Sequence, residues 1–140
     1  MTTSFELDMN DKWLTLLNEA KTAQRNSYSP YSKFRVGAAV LTKEGNIFTG
    51  CNVENVSYGL TICAERVAIF KAVSEGHTDF EAIAIVGADS EPTFPCGACR
   101  QVLAEFNLTM EVYVNNGKKI YTVADLLPHS FSKEQIKTSL

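Results

Sequence analysis

The chain has 140 residues, is 45% hydrophobic and 21% charged, and carries a formal net charge of -3. This composition excludes a disordered chain and suits one domain over 1–140 with a core of its own. The mild acidity argues against a nucleic-acid partner, which calls for a basic face, and no apolar run is long enough for a bilayer, so no membrane partner is expected.

In chain order, residues 10–24 read as an amphipathic helix, with Trp13, Leu16, Leu17, Ala20 and Ala23 at helical spacing. "NSYSPYS" breaks it, since Pro30 and the serines mark a loop. "FRVGAAVLT" (34–42) is short and apolar, as a buried strand is, and "KEGN" turns it into a hairpin partner, "IFTGCNVEN" (47–55). Residues 61–75 form the next expected helix. It is apolar almost all round, which predicts a place in the middle of a sandwich, and Gly76 sits where helix C-termini favour glycine. "FEAIAIVGA" (80–88) reads as a strand, "DSEPTFP" as a loop and "CGACRQVLAEF" (96–106) as a second core helix. "MEVYVNN" (110–116) and "KIYTVADLL" (119–127) read as a strand, an Asn-Gly turn and a strand leading into a short helix, followed by a tail. The order αββαβαβ predicts an α/β fold: a single mixed sheet covered by helices on both faces, a three-layer α/β/α sandwich.

The opening "MTTSFELDMN" is polar and acidic, unlike a leader, so the expected location is cytoplasmic, where thiols stay reduced. Four cysteines there point to metal binding or catalysis before disulfides. Cys96 and Cys99 form a C-x-x-C directly after Pro95, a residue suited to the start of a helix. Free backbone N–H groups and the positive dipole end favour thiolates there, and thiolate is what Zn²⁺ binds. A lone C-x-x-C is ambiguous, since it also occurs as a redox pair. Cys63, also in the first turn of an expected helix, adds a third thiol.

Glu65 then has a reason to be close by. Three protein ligands leave a fourth tetrahedral position open, as in catalytic zinc sites, and a carboxylate beside an activated water can take and return its proton. Arg66 fits the same site: zinc with three thiolates is net negative, and a guanidinium hydrogen-bonded to the sulfurs withdraws charge from them.

"CAE" (63–65) and "PCGACRQ" (95–101) together resemble the signature of zinc nucleoside and nucleobase deaminases. "YSPYSKFRVGAA" (28–39), "GCNVEN" (50–55), "CAERVAIFKAVSEG" (63–76) and "LLPHSF" (126–131) extend the resemblance to the small homotetrameric cytidine deaminases, in order over nearly the whole chain. The resemblance implies one zinc per chain on Cys63, Cys96 and Cys99, with Glu65 shuttling protons as an activated water attacks carbon 4. It implies a nucleoside substrate, cytidine or deoxycytidine, deaminated to uridine or deoxyuridine with release of ammonia, as in pyrimidine salvage. Phe34 would pack against the pyrimidine, Asn52 and Glu54 would hydrogen-bond the ribose, and Ala64 would contact substrate. Tyr58 and Phe131 would reach sites shared across a homotetramer. Phe94 departs from the Ser or Thr often found before the Pro-Cys pair, and its backbone carbonyl would face the departing amine.

Two other classes stay open on the residues alone. A structural Cys₄ site closed by Cys51 leaves Glu65 and Arg66 without a role. A dithiol redox protein using Cys96 and Cys99 predicts no metal. Within the deaminases, a blasticidin-type or nucleotide deaminase is the nearest rival; "NVEN" favours a free sugar, and no basic cluster suits a phosphate.

Overall fold

Along β1 (Gly37–Thr42) successive side chains face opposite ways, and the two faces differ in size. Ala39 joins Ala82 and Ala84 on one face, whereas Val40 joins Ile83, Ile85, Val112 and Val114 on the other. The computed structural model describes residues 11–139, so the opening decapeptide and the expected helix start at Asn10 lie outside the described residues.

The small face lets α1 (Asp11–Gln24) lie close to the sheet, burying Trp13, Leu16, Ala20 and Ala23 at the spacing read from the sequence. Trp13 meets Tyr113 of the sheet with ring centroids 5.8 Å apart. Lys12 ties the helix to two strands, its Nζ lying 3.1 Å from Glu81 and 2.9 Å from Glu111. The large aliphatic face is covered by α2 (Ala64–Ser74) and α3 (Gly97–Phe106).

The sheet order is β2-β1-β3-β4-β5, with β2 (Ile47–Cys51), β3 (Phe80–Val86), β4 (Glu111–Val114) and β5 (Tyr121–Thr122). Among the five described strands, β3 and β4 pair in parallel and the other ladders are antiparallel. The sandwich expected from the sequence is therefore present, with α1 on one face and α2 and α3 on the other. Gly37 opposes Cys51 on one side and Val86 on the other. Thus β2 and β3 both finish at the edge where β1 begins, and the helices that follow them, α2 and α3, start from that edge over the same face. Short α4 (Val123–Leu126) and α5 (Lys133–Ser139) complete the chain.

Three details differ from expectation. Strand β2 stops at Cys51 rather than continuing to residue 55, because Gly37, opposite Cys51, is where its partner starts. Val53 instead makes isolated bridges to Tyr28 and Ile62. Helix α2 lies in an outer layer, not in the middle: it buries Ala64, Glu65, Ala68, Ile69 and Ala72, but Phe70 is 46% exposed. The tail contains a helix, α5, whose start was signalled by "SKEQ": Gln135 Oε1 accepts the Ser132 backbone N–H at 2.8 Å, as in a capping box.

Close approach depends on missing side chains. A Cβ at Gly50 would stand 2.6 Å from both Ala64 O and Ala68 N, so this glycine fixes how closely the start of α2 rests on β2. A Cβ at Gly37 would stand 2.0 Å from Ala20 O, inside α1. Neither clash can be relieved by a rotamer change, because backbone atoms stand on both sides. Gly37→Ala should therefore cost about 3 kcal/mol, the upper end for overpacking. Gly59→Ala, with nothing within 4 Å of its new Cβ, should stay within about 0.5 kcal/mol. Urea midpoints measured for both variants check this contrast.

Candidate active site and metal centre

Cys63 and Cys96 are the N-cap residues of α2 and α3, one position ahead of the first-turn placement expected for Cys63. Neither side chain makes the usual capping hydrogen bond, so both thiols are free to turn toward each other. Cys99 enters from the first turn of α3 and is fully buried. The sulfurs of Cys63 and Cys96 are 3.8 Å apart, those of Cys96 and Cys99 are 3.6 Å apart, and all three lie within 4.8 Å of one another. Sulfurs in tetrahedral array about 2.3 Å from zinc would stand about 3.8 Å apart, so the donor set fits that ion. Cys51 is outside this group, which removes the closed Cys₄ alternative and leaves a fourth position for a non-protein ligand.

The electrostatics also call for a cation. A hydrogen bond with Cys99 holds the Cys63 thiol down at about 5 against the opposing effect of burial, and Arg66 assists. The same bond with Cys63, reinforced by burial, pushes the Cys99 thiol up. Three thiols this close would be held together as thiolates by a bound cation. Arg66 Nη2 donates to Cys63 Sγ at 3.4 Å. Its Nε is buried without a hydrogen-bond partner among the described residues, so the guanidinium is aimed into a sulfur-rich corner.

Glu65 is 4% exposed. Burial pushes its carboxyl up to about 7, and the charge on Cys63 acts in the same direction. A carboxyl poised there can hold or release a proton near neutral pH. It lines a cavity of about 250 Å³ together with Phe34, Asn52, Glu54, Ala64 and Cys96. Residues separated by up to 62 positions in sequence are thereby gathered at one place.

The opposite wall is a loop held by its own polar side chains. Asn52 Oδ1 accepts the Val36 N–H at 2.9 Å, and its Nδ2 donates to Phe34 O at 2.8 Å, with its second amide hydrogen unpaired among the described residues. Glu54 accepts the backbone N–H groups of Tyr31 and Ser32 at 3.0 and 3.1 Å. Ser32 Oγ donates to Glu54 Oε2 and accepts the Phe34 N–H. The Ser32 contact first, then the backbone bonds, hold the Glu54 carboxyl below its usual range. Ser32 escaped the sequence reading; its signal was a serine two residues before the ring, a spacing that supports a local side-chain turn.

The family model described as the cytidine and deoxycytidylate deaminase zinc-binding region matches residues 11–116. This chain belongs to the zinc-dependent cytidine deaminase family. A cytidine deaminase of Sporosarcina psychrophila is 54% identical over 125 residues, covering 86% of this chain and 92% of that protein. The crystal structure of a cytidine deaminase from Burkholderia pseudomallei superposes with a TM-score of 0.80 at 46% identity, covering 88% of this chain and all of the other. That of Mycobacterium tuberculosis gives 0.79 at 41% identity, covering 87% and 98%.

In this cytidine deaminase-family chain, zinc is the cofactor that the three sulfurs fit. Two residues singled out in the sequence stand apart from the cavity described above. Tyr58 lines an adjoining cavity of about 380 Å³ with Tyr31 and Thr61, its ring 5.9 Å from that of Tyr31. Phe131 is 61% exposed, its carbonyl held by Gln101 Nε2 at 2.9 Å.

Two outcomes check the site. Cys51→Ala should retain one zinc per chain by metal analysis, whereas Cys99→Ala should lose it. After zinc is chelated, Glu65 should make stability depend on pH with a definite sign. Its folded value, about 7, lies above its ordinary 4.5, so the folded state binds the extra proton. Its contribution is full below pH 4.5 and is lost as pH rises to about 7. Relative to Glu65→Gln, the chelated wild-type protein should weaken across that window and hold level above it, as read from denaturation midpoints.

Proposed function

We propose that this chain catalyses the hydrolytic deamination of cytidine and deoxycytidine to uridine and deoxyuridine, releasing ammonia, in the salvage of pyrimidine nucleosides. The observation that supports this most directly is a buried carboxyl, Glu65, beside three converging thiols at the end of a cavity with an aromatic side. The cavity lining carries two carboxylates and no lysine or arginine, which favours a nucleoside over a nucleotide.

Bound zinc supplies Lewis acidity, which makes water nucleophilic at neutral pH. The remaining work falls to side chains. Glu65 accepts one proton from water and passes it to ring nitrogen 3, then takes the second from the hydroxyl added at carbon 4 and gives it to the departing amine, which leaves as ammonia. Its raised pKa suits both directions of transfer. Phe34 packs on the pyrimidine and Ala64 borders it. The spare amide hydrogen of Asn52 and the carboxylate of Glu54 bind the sugar hydroxyls. This fixes the base with respect to the metal and makes the attack effectively intramolecular. Arg66 draws charge from the thiolates.

The active assembly is a homotetramer with shared sites. Val56, Tyr58 and Leu60 are 76%, 74% and 71% exposed in the single chain, and Tyr58 adjoins the cavity that Glu54 also lines. Three large apolar side chains exposed within five residues suit an interaction face. Phe131 and Tyr58 are then the side chains that a neighbour brings to the site. The four free thiols suit a reducing, cytoplasmic setting.

Purified, zinc-loaded protein should release ammonia from cytidine, and chelation should stop it. Glu65→Gln should keep zinc and fold but lose turnover toward the upper end of about 10²–10⁴-fold, since one carboxyl serves several proton transfers. Zinc-bound, folded wild-type protein that leaves cytidine intact would overturn the reading. Near-normal turnover in Glu65→Gln would overturn the role of that residue.

A further inference from the structure

We infer that Phe94 is a specificity-determining residue: its ring closes the cavity along the edge of the base beside the reacting amine and excludes cytosines enlarged at carbon 5. The inference rests on the deaminase reading above. Phe94 lies two residues before Cys96, and both line the cavity. The carbon that loses its amine must reach the three-thiol site, so the wall nearest that amine is the one carrying Cys96. Glu65 serves nitrogen 3, on one side of that carbon. Carbon 5, on the other side, is left to the Thr93–Phe94 wall.

This wall is pinned at both ends. Thr93 Oγ1 accepts the Ala88 N–H at 3.2 Å. Thr93 also fills the space over Gly87, where a Cβ would stand 2.1 Å from Thr93 Oγ1. On the other side, Arg100 Nε donates to the Pro95 carbonyl at 2.7 Å and its Nη1 to the Leu126 carbonyl at 2.7 Å. Between these anchors the Phe94 ring meets Tyr121 edge-on, with centroids 5.5 Å apart and planes at 78°. Lys119 Nζ in turn stands 4.7 Å from the centre of the Tyr121 ring. Core packing does not account for a phenylalanine here, because Phe94 is 40% exposed. A ring held on a fixed backbone and backed by a second aromatic resists moving aside for a larger base.

The experiment compares kcat/KM for cytidine and 5-methylcytidine in zinc-loaded wild-type, Phe94→Leu, Phe94→Ala and Tyr121→Ala proteins. One methyl group in a pocket discriminates by about 10–200-fold, so Phe94→Ala should raise the 5-methylcytidine to cytidine ratio about tenfold or more. Phe94→Leu should fall between, and Tyr121→Ala should move the ratio the same way by freeing the ring. A residue that only supports its loop would lower both substrates together. An unchanged ratio in the Phe94 variants, or in Tyr121→Ala should those lose zinc or fold, overturns the inference while leaving the deaminase reading intact. A wild-type protein inactive on cytidine would overturn that reading and this inference with it.

Discussion

Three sulfurs within 4.8 Å of one another are the constraint on which the rest of this structure depends. Like-charged thiolates at such range repel strongly unless a cation neutralises them. The protein's own answer, without metal, is to ionise Cys63 and leave Cys99 protonated. Cys63, Cys96 and Cys99 would hold zinc as thiolates, and the Arg66 guanidinium already donates to one of them, Cys63 Sγ, at 3.4 Å. The fold makes this meeting possible by bringing β2 and β3 to the same sheet edge, so that α2 and α3 begin side by side. Each helix contributes a free N-cap thiol, and α3 adds a second from its first turn.

Glu65 follows from the same geometry. It sits one residue inside α2, in the turn that Gly50 allows to rest on β2. Burying a carboxyl normally disfavours its charged form, and the resulting shift to about 7 lets it hold or release a proton near neutral pH. The destabilisation inherent in a buried acid and the chemistry assigned to it thus have one physical origin.

On the loop side of the cavity, the polar residues hold the backbone. Asn52 holds the backbone at Phe34 and Val36, while Glu54 and Ser32 hold the turn before them. Lys33, between Ser32 and Phe34, adopts φ 63°, a left-handed conformation that a non-glycine residue keeps only when its surroundings hold it. Those bonds supply the hold. Removing one of these side chains therefore disturbs the placement of the aromatic wall as well as any contact with a sugar.

How much of this was legible in the sequence differs by element. Helix α1, the helical spacing of its buried residues and the start of α3 were readable because periodicity and the Pro-Cys pattern are local, whereas α2 begins at Ala64, three residues after its expected start at residue 61. That Cys63, Cys96 and Cys99 converge beside a buried Glu65 was readable because C-A-E and P-C-x-x-C are patterns of a few residues, and resemblance supplied the family. The end of β2 was not readable, since it is set by where a partner strand begins. Nor was the outer position of α2: an apolar circumference fits burial by the rest of this chain or by another chain, and only the described fold leaves Phe70 exposed. The sequence by itself determined which atoms could hold a metal and move a proton. Tertiary structure alone decided that Cys51 stands outside the thiol cluster, that Asn52 and Ser32 brace Phe34, and that Phe94 is backed by Tyr121. These are contacts between segments distant along the chain, fixed by strand register and packing rather than by the residues next to them in sequence.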